Sequence, residues 1–179
     1  MLPGLGVFKI SIGRPASMPW IAALAAFAIV SGARAEPAAL TVTTAAGESR
    51  SYTLADLAAM PVVTVNAVND HQPAADYSGV ELHDLLVASG VAQGKELRGK
   101  HVAEYAVIVA RDGYRAVFSL PEFDPAFAQR RIFLAWKKDG QPLPETEGPL
   151  RMIIPDEKHP TRWVRQVTSI RILAAPDTP

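Results

Sequence analysis

Glu81-Leu82-His83-Asp84-Leu85-Leu86-Val87-Ala88-Ser89-Gly90 brings Leu82, Leu85 and Leu86 onto one helical face and ends on a glycine suited to closing a helix. The pattern predicts a helix over Glu81 to Ser89, with His83 on its polar side at the surface. Strand patterns lie on both sides of it. Upstream, Val62 to Val65 is a β-branched run, and Asn69-Asp70-His71-Gln72-Pro73 follows as a polar loop without periodicity. Farther back, Leu40 to Thr44 alternates apolar residues with threonine, Ala45-Ala46-Gly47-Glu48 offers a turn, and Ser51 to Thr53 resume an extended pattern. Thr53 caps a short helix over Leu54 to Ala59 that Pro61 stops. Downstream, Tyr105 to Ala110 and Arg115 to Ser119 flank Asp112-Gly113, a hairpin signal. Ile132 to Trp136, Asp139-Gly140 and Leu150 to Ile154 repeat the strand, turn, strand theme. Val167 to Leu173 then alternates Val167, Ser169 and Arg171 with Ile170 and Ile172. Several short strands with two or three short helices make an α+β domain.

The first 35 residues read as an export signal. Lys9 and Arg14 supply a basic start, Trp20 to Val30 is an apolar run, and Ala33-Arg34-Ala35 fits a small-residue cleavage site. The run is about half the roughly 20 residues needed to span a bilayer, so the expectation is a periplasmic protein, residues 36–179, without a stable membrane anchor. The chain carries 18 basic and 18 acidic side chains, and the leader takes away three of the basic ones and no acid. The remaining slight acidity excludes a nucleic-acid partner, which requires clustered Lys and Arg. The chain contains no cysteine. A disulfide framework, a redox pair and a thiolate nucleophile or metal ligand are thereby excluded.

Five blocks recur in a fixed order. They are Tyr77-Ser78-Gly79-Val80-Glu81-Leu82-His83-Asp84-Leu85-Leu86, then Arg111-Asp112-Gly113-Tyr114, then Leu134-Ala135-Trp136 with Asp139-Gly140-Gln141-Pro142-Leu143. Gly148-Pro149-Leu150-Arg151-Met152-Ile153-Ile154-Pro155 and Arg162-Trp163-Val164 complete the succession. Their order and spacing resemble the molybdopterin-binding domain of the sulfite oxidase family, from about Thr41 to Leu173. The resemblance implies that family's mixed α+β fold and a cleft shaped for a pterin. In catalytic members of the family a cysteine just after the strand equivalent to Val62 to Val65 binds molybdenum. Here the stretch reads Asn66-Ala67-Val68-Asn69, so the resemblance sets Asn66 in the cysteine position. An amide is a neutral, hard donor where a soft thiolate is required, so molybdenum is not expected to be held and no catalytic residue is assigned. The family also contains exported, cysteine-free relatives that bind pterins without molybdenum and report them to membrane-bound signalling proteins, and this sequence is similar to that branch.

A flat polar heterocycle needs an aromatic face and in-plane amide, carboxylate or guanidinium groups. The segment Pro155 to Trp163 offers Asp156, His159, Arg162 and Trp163, where Trp163 either stacks on the ligand or folds back over the core. Asp156 suits the donor edge of a pyrimidine ring, and Arg151 and Arg162 suit a carbonyl or phosphate. Arg151, inside a strand pattern, is equally suited to a structural ion pair. Asn66 and Asn69 are placed to read the ligand edge or to form a turn, the turn being the stronger reading for Asn69. His71 lies in the polar loop after the strand. Asp112 serves its turn, and Tyr114 serves strand packing or a cleft edge. No two of the four histidines have helical metal-site spacing, so no metal site is expected. These residues suit a pterin- or molybdopterin-binding module, and the resemblance implies a membrane-bound sensor as its partner. The competing expectations are a molybdenum oxidoreductase without the usual ligand and a domain that has lost its ligand.

Overall fold

The computed structural model describes residues 36–69 and 72–176. The stretch expected to be an export signal and His71 lie outside the described residues. In chain order the elements are β1 (Leu40–Thr43), β2 (Ser49–Tyr52), α1 (Leu54–Ala58), β3 (Val62–Asn69), β4 (Gln72–Glu81) and α2 (Leu82–Ala88). There follow β5 (Glu104–Ala110), β6 (Arg115–Ser119), β7 (Phe133–Lys138), β8 (Gln141–Pro142), β9 (Arg151–Ile153) and β10 (Val167–Ala174). Short 3-10 turns fill several of the links.

Two sheets result, and the α+β expectation holds. The first has the order β2-β1-β10-β5-β6, with β1 and β10 parallel and the other neighbours antiparallel. The second runs β3-β4-β7-β8, and β9 also pairs with β7. Leu40, Val42, Ile108, Phe118, Ile170 and Ile172 of the first sheet are buried, as are Tyr77, Val80, Leu134 and Met152 of the second. Leu82, Leu85 and Leu86 of α2 join the same core cluster, as their shared helical face requires.

The region after Val65 differs from expectation. Asn69, Gln72 and Pro73, expected in a polar loop, belong to strands: β3 continues to Asn69, β4 begins at Gln72, and the two residues pair. Small and polar residues in β4 hide an alternation in which Ala75, Tyr77 and Gly79 face inward. A second difference lies in β10. A register shift between Val167 and Ser169 puts Val167 on the buried side with Ile170 and Ile172, whereas strict alternation would place it with Arg171.

Thr53 caps α1 as predicted, in a reciprocal box. Its hydroxyl accepts from Asp56 N, and the Asp56 carboxylate accepts from Thr53 N at 2.8 Å. The backbone hydrogen bond from Thr53, then the one from its hydroxyl, lower the Asp56 pKa below the ordinary 3.8. A lowered folded value means the cap's contribution is complete above the unfolded value and is lost as pH falls through the folded one. Thr53→Ala removes the side-chain half of this cap and should lower the denaturation midpoint at neutral pH. In urea titrations the gap to wild type should narrow as the pH drops below 3.8, because only the bond from the Thr53 hydroxyl to the Asp56 carboxylate is lost on protonation, while the one the hydroxyl accepts from Asp56 N does not titrate.

Candidate functional site

A groove of about 440 Å³ opens beside β3, lined by Val65, Gln129, Arg130, Arg131, Phe133, Pro155 and Asp156. Val65 and Phe133 come from the second sheet. The arginines belong to the segment entering β7, and Pro155 and Asp156 to the segment leaving β9. The Arg131 guanidinium lies 5.1 Å from the Phe133 ring centroid and donates to both Glu81 oxygens, at 3.1 and 2.7 Å. Those hydrogen bonds to Glu81 outweigh burial and raise the Arg131 pKa. Arg130 donates from Nε to Asp156 at 3.0 Å and from Nη1 to Glu122 at 3.4 Å.

Behind this wall stands Arg162. It donates to Glu157 at 3.2 and 2.8 Å and to Glu122 at 3.2 Å, with its guanidinium 4.4 Å from the Phe118 ring centroid. Burial alone would lower its pKa, but the hydrogen bonds it donates to Glu157 and Glu122 leave it raised. Glu122 thus bridges Arg130 and Arg162, and the ion pairs fix the position from which Asp156 faces the groove.

The expected site residues divide between this groove and other places. Asp156 lines it, and Arg162 supports it through shared carboxylates. Asn66 is exposed on the opposite face of β3 from Val65, where its amide donates to Asp76 at 2.7 Å. It takes no part in lining the groove, because neighbouring strand residues alternate faces. Asn69 sits at the hairpin end, paired with Gln72. His159 is exposed and precedes the 3-10 turn Pro160–Arg162. Asp112, Tyr114 and Trp163 contribute to a separate hollow of about 280 Å³. There the Asp112 carboxylate accepts from Tyr114 N at 2.9 Å, as a turn residue does, and the Tyr114 hydroxyl donates to Thr161 O at 2.7 Å.

Trp163 folds back over the core and does not offer a stacking face. It is 3% exposed, donates Nε1–H to Ile154 O at 3.0 Å and meets Tyr77 edge-on at 6.0 Å. Arg151 is likewise internal, paired with Glu147 at 2.6 Å. The ion-pair alternative is the one its surroundings show. Sequence reading missed Arg130 and Arg131. The signal was two adjacent cations directly before the apolar strand that begins near Ile132.

A larger hollow, about 730 Å³, lies elsewhere, between the β1–β2 turn, the end of α2 and the His101–Glu104 pair. None of the predicted residues lines it, so volume alone does not select the site. The 440 Å³ groove combines an apolar floor with two guanidinium groups and a carboxylate, which matches the polar rim and flat body of a pterin and the charge of a phosphate. Protein ligation of a metal fits poorly. The sequence has no cysteine, and no group of three or more His, Asp or Glu among the described residues is arranged to hold an ion.

No curated protein matches this sequence. Among solved structures, the sulfane dehydrogenase SoxCD from Paracoccus pantotrophus is similar, with a TM-score of 0.58 and 19% identity. The match covers 75% of this chain and 37% of that one, so this chain spans well under half of the larger protein. At that identity the likeness is one of fold. A family model described as the oxidoreductase molybdopterin binding domain matches residues 29–178, nearly the whole chain, and the chain therefore belongs to the oxidoreductase molybdopterin-binding domain family.

Proposed function

We propose that this chain is an exported, non-catalytic binding protein for a pterin or molybdopterin, which presents its loaded state to a membrane-bound sensor. The observation that carries the reading is the groove over Val65 and Phe133, walled by Arg130, Arg131 and Asp156, in a chain that has no thiolate. Asp156 accepts from the amino and N–H edge of the pyrimidine ring. Arg131, which keeps donors beyond its Glu81 pair, meets a carbonyl or phosphate oxygen. Phe133 and Val65 exclude water beneath the ring. Molybdopterin loaded with molybdenum supplies oxygen-atom transfer in catalytic members of the family, but this chain has no cysteine to anchor that metal. The proposal of export is supported by the basic start, apolar run and Ala33-Arg34-Ala35 pattern of the first 35 residues. Transfer of a signal then requires loaded and empty forms to differ in affinity for the sensor, since a ligand shifts an equilibrium only by its differential affinity.

Titration with a tetrahydropterin, followed by tryptophan fluorescence, tests the ligand. Asp156→Asn should weaken binding about tenfold, the loss of one charge-assisted hydrogen bond. Asn66→Ala, outside the groove, should leave it unchanged. Metal analysis of protein purified from its native host tests the rest. Molybdenum near one per chain, with oxidation of sulfite or reduction of a sulfoxide, would overturn the non-catalytic reading.

A further inference from the structure

Among the described residues the outward face of the first sheet is partly exposed and carries charge of one sign. Along one row Arg171 pairs with Val107, which pairs with Val117; along the next Ser169 pairs with Val109, which pairs with Arg115. The alternate residues Ile170, Ile108 and Phe118 are buried, so the first set points away from the core. Val117 is 55% and Leu173 42% exposed, and a hollow of about 230 Å³ runs between Arg115 and Arg171 over Val107 and Val109. No outward position of these five strands is acidic; the acid within them, Glu104, is buried and paired with His101. Neither Arg115 nor Arg171 has a salt-bridge or side-chain hydrogen-bond partner among the described residues.

We propose that this face docks a partner protein whose contact surface is aliphatic at its centre and bears carboxylates placed for Arg115 and Arg171. Desolvating two guanidinium groups beside valines is unfavourable unless the partner supplies acids. Face-to-face pairing of two copies does not supply them, because the same face turned on itself sets arginine and valine against arginine and valine. An anionic membrane is a poorer match, since lipid-binding patches gather about four to eight basic residues and this face has two. The face belongs to a different sheet from the groove, so the inference stands apart from the identity of the ligand.

The test immobilises the full chain beside an Arg115→Glu/Arg171→Glu variant and passes an extract of the native host over both, at low and high salt. The expected result is a protein retained about tenfold better by wild type, with retention falling as salt rises. Hydrogen exchange on the purified pair should then show protection in β5, β6 and β10. Val117→Asn, a milder change on the same face, should also lower retention and guards against misfolding of the double variant. Equal retention by wild type and variants, no retained protein, or protection confined to other strands would overturn the proposal. So would a self-dimer in sedimentation that the charge reversal abolishes, or wild-type binding to vesicles of anionic lipid that the reversal removes.

Discussion

Glu147→Ala is expected to destabilise the domain by about 3–5 kcal/mol, the usual loss when one member of a buried ion pair is removed. Glu147 and Arg151 are 7% and 5% exposed and meet at 2.6 Å. The Arg151 guanidinium also lies 5.8 Å from the Tyr77 ring centroid and 5.6 Å from the Trp163 indole. Its Nε is already buried without a hydrogen-bond partner, so the side chain has no spare means of satisfying its charge. Deleting the carboxylate leaves a cation between two aromatic rings, out of reach of water. Replacing both residues, Glu147→Leu with Arg151→Met, removes the charge together with its counterion and should restore most of the loss, because an apolar pair of similar volume often matches a buried salt bridge. Guanidinium denaturation of the three proteins, followed by far-UV circular dichroism, checks the order. A single variant as stable as wild type would show that water reaches Arg151 in solution.

Gly79→Ala should cost about 3 kcal/mol, at the upper end for overpacking. A methyl group there would lie 2.6 Å from Ala135 Cα and against the Leu134 carbonyl, both backbone of the adjacent strand. Backbone cannot rotate aside as a side chain can. The register between β4 and β7 already shifts at Ser78/Gly79, where the missing Cβ lets the two strands close up. Forcing them apart would also displace β3, which pairs with β4 on its other side and carries Val65 into the groove. The expected signature is therefore double: a lower denaturation midpoint and weaker pterin binding in the folded fraction. An unchanged midpoint would mean that the strands tolerate a wider spacing than this register implies.

The elements legible from sequence were those whose side chains alternate cleanly or mark a turn. Arg115 to Ser119 is a strand of those bounds, and Asp139-Gly140 does turn, both residues having positive φ. β4 escaped notice because its inward residues include Ala75 and Gly79, too small to register as an apolar stripe, while Pro73 and Asp76 suggest a loop. The phase of Val167 was misjudged because a bulge breaks the period of two, and nothing in the local composition announces it. For the site, the charged stretch around Asp156 and Arg162 was visible as such. Arg130 and Arg131 were not, because they reach the groove from a separate segment that only the pairing of β7 with β9 brings near. Trp163 and Arg151 carry the kind of side chain a ligand uses, and tertiary packing took both into the interior.

The strand β10 lies between β1 and β5, so the last strand of the domain joins its first strand to a hairpin from its middle. Until those eight residues are in place, the first sheet exists only as two separate ribbons, β1-β2 and β5-β6, each with a bare edge. A chain leaving the ribosome cannot finish this sheet until its final strand has been made, and pairings that span so much sequence form slowly. For a protein predicted to be exported, that ordering keeps the growing chain unfinished through most of its synthesis, which is the state that threading through a membrane pore requires.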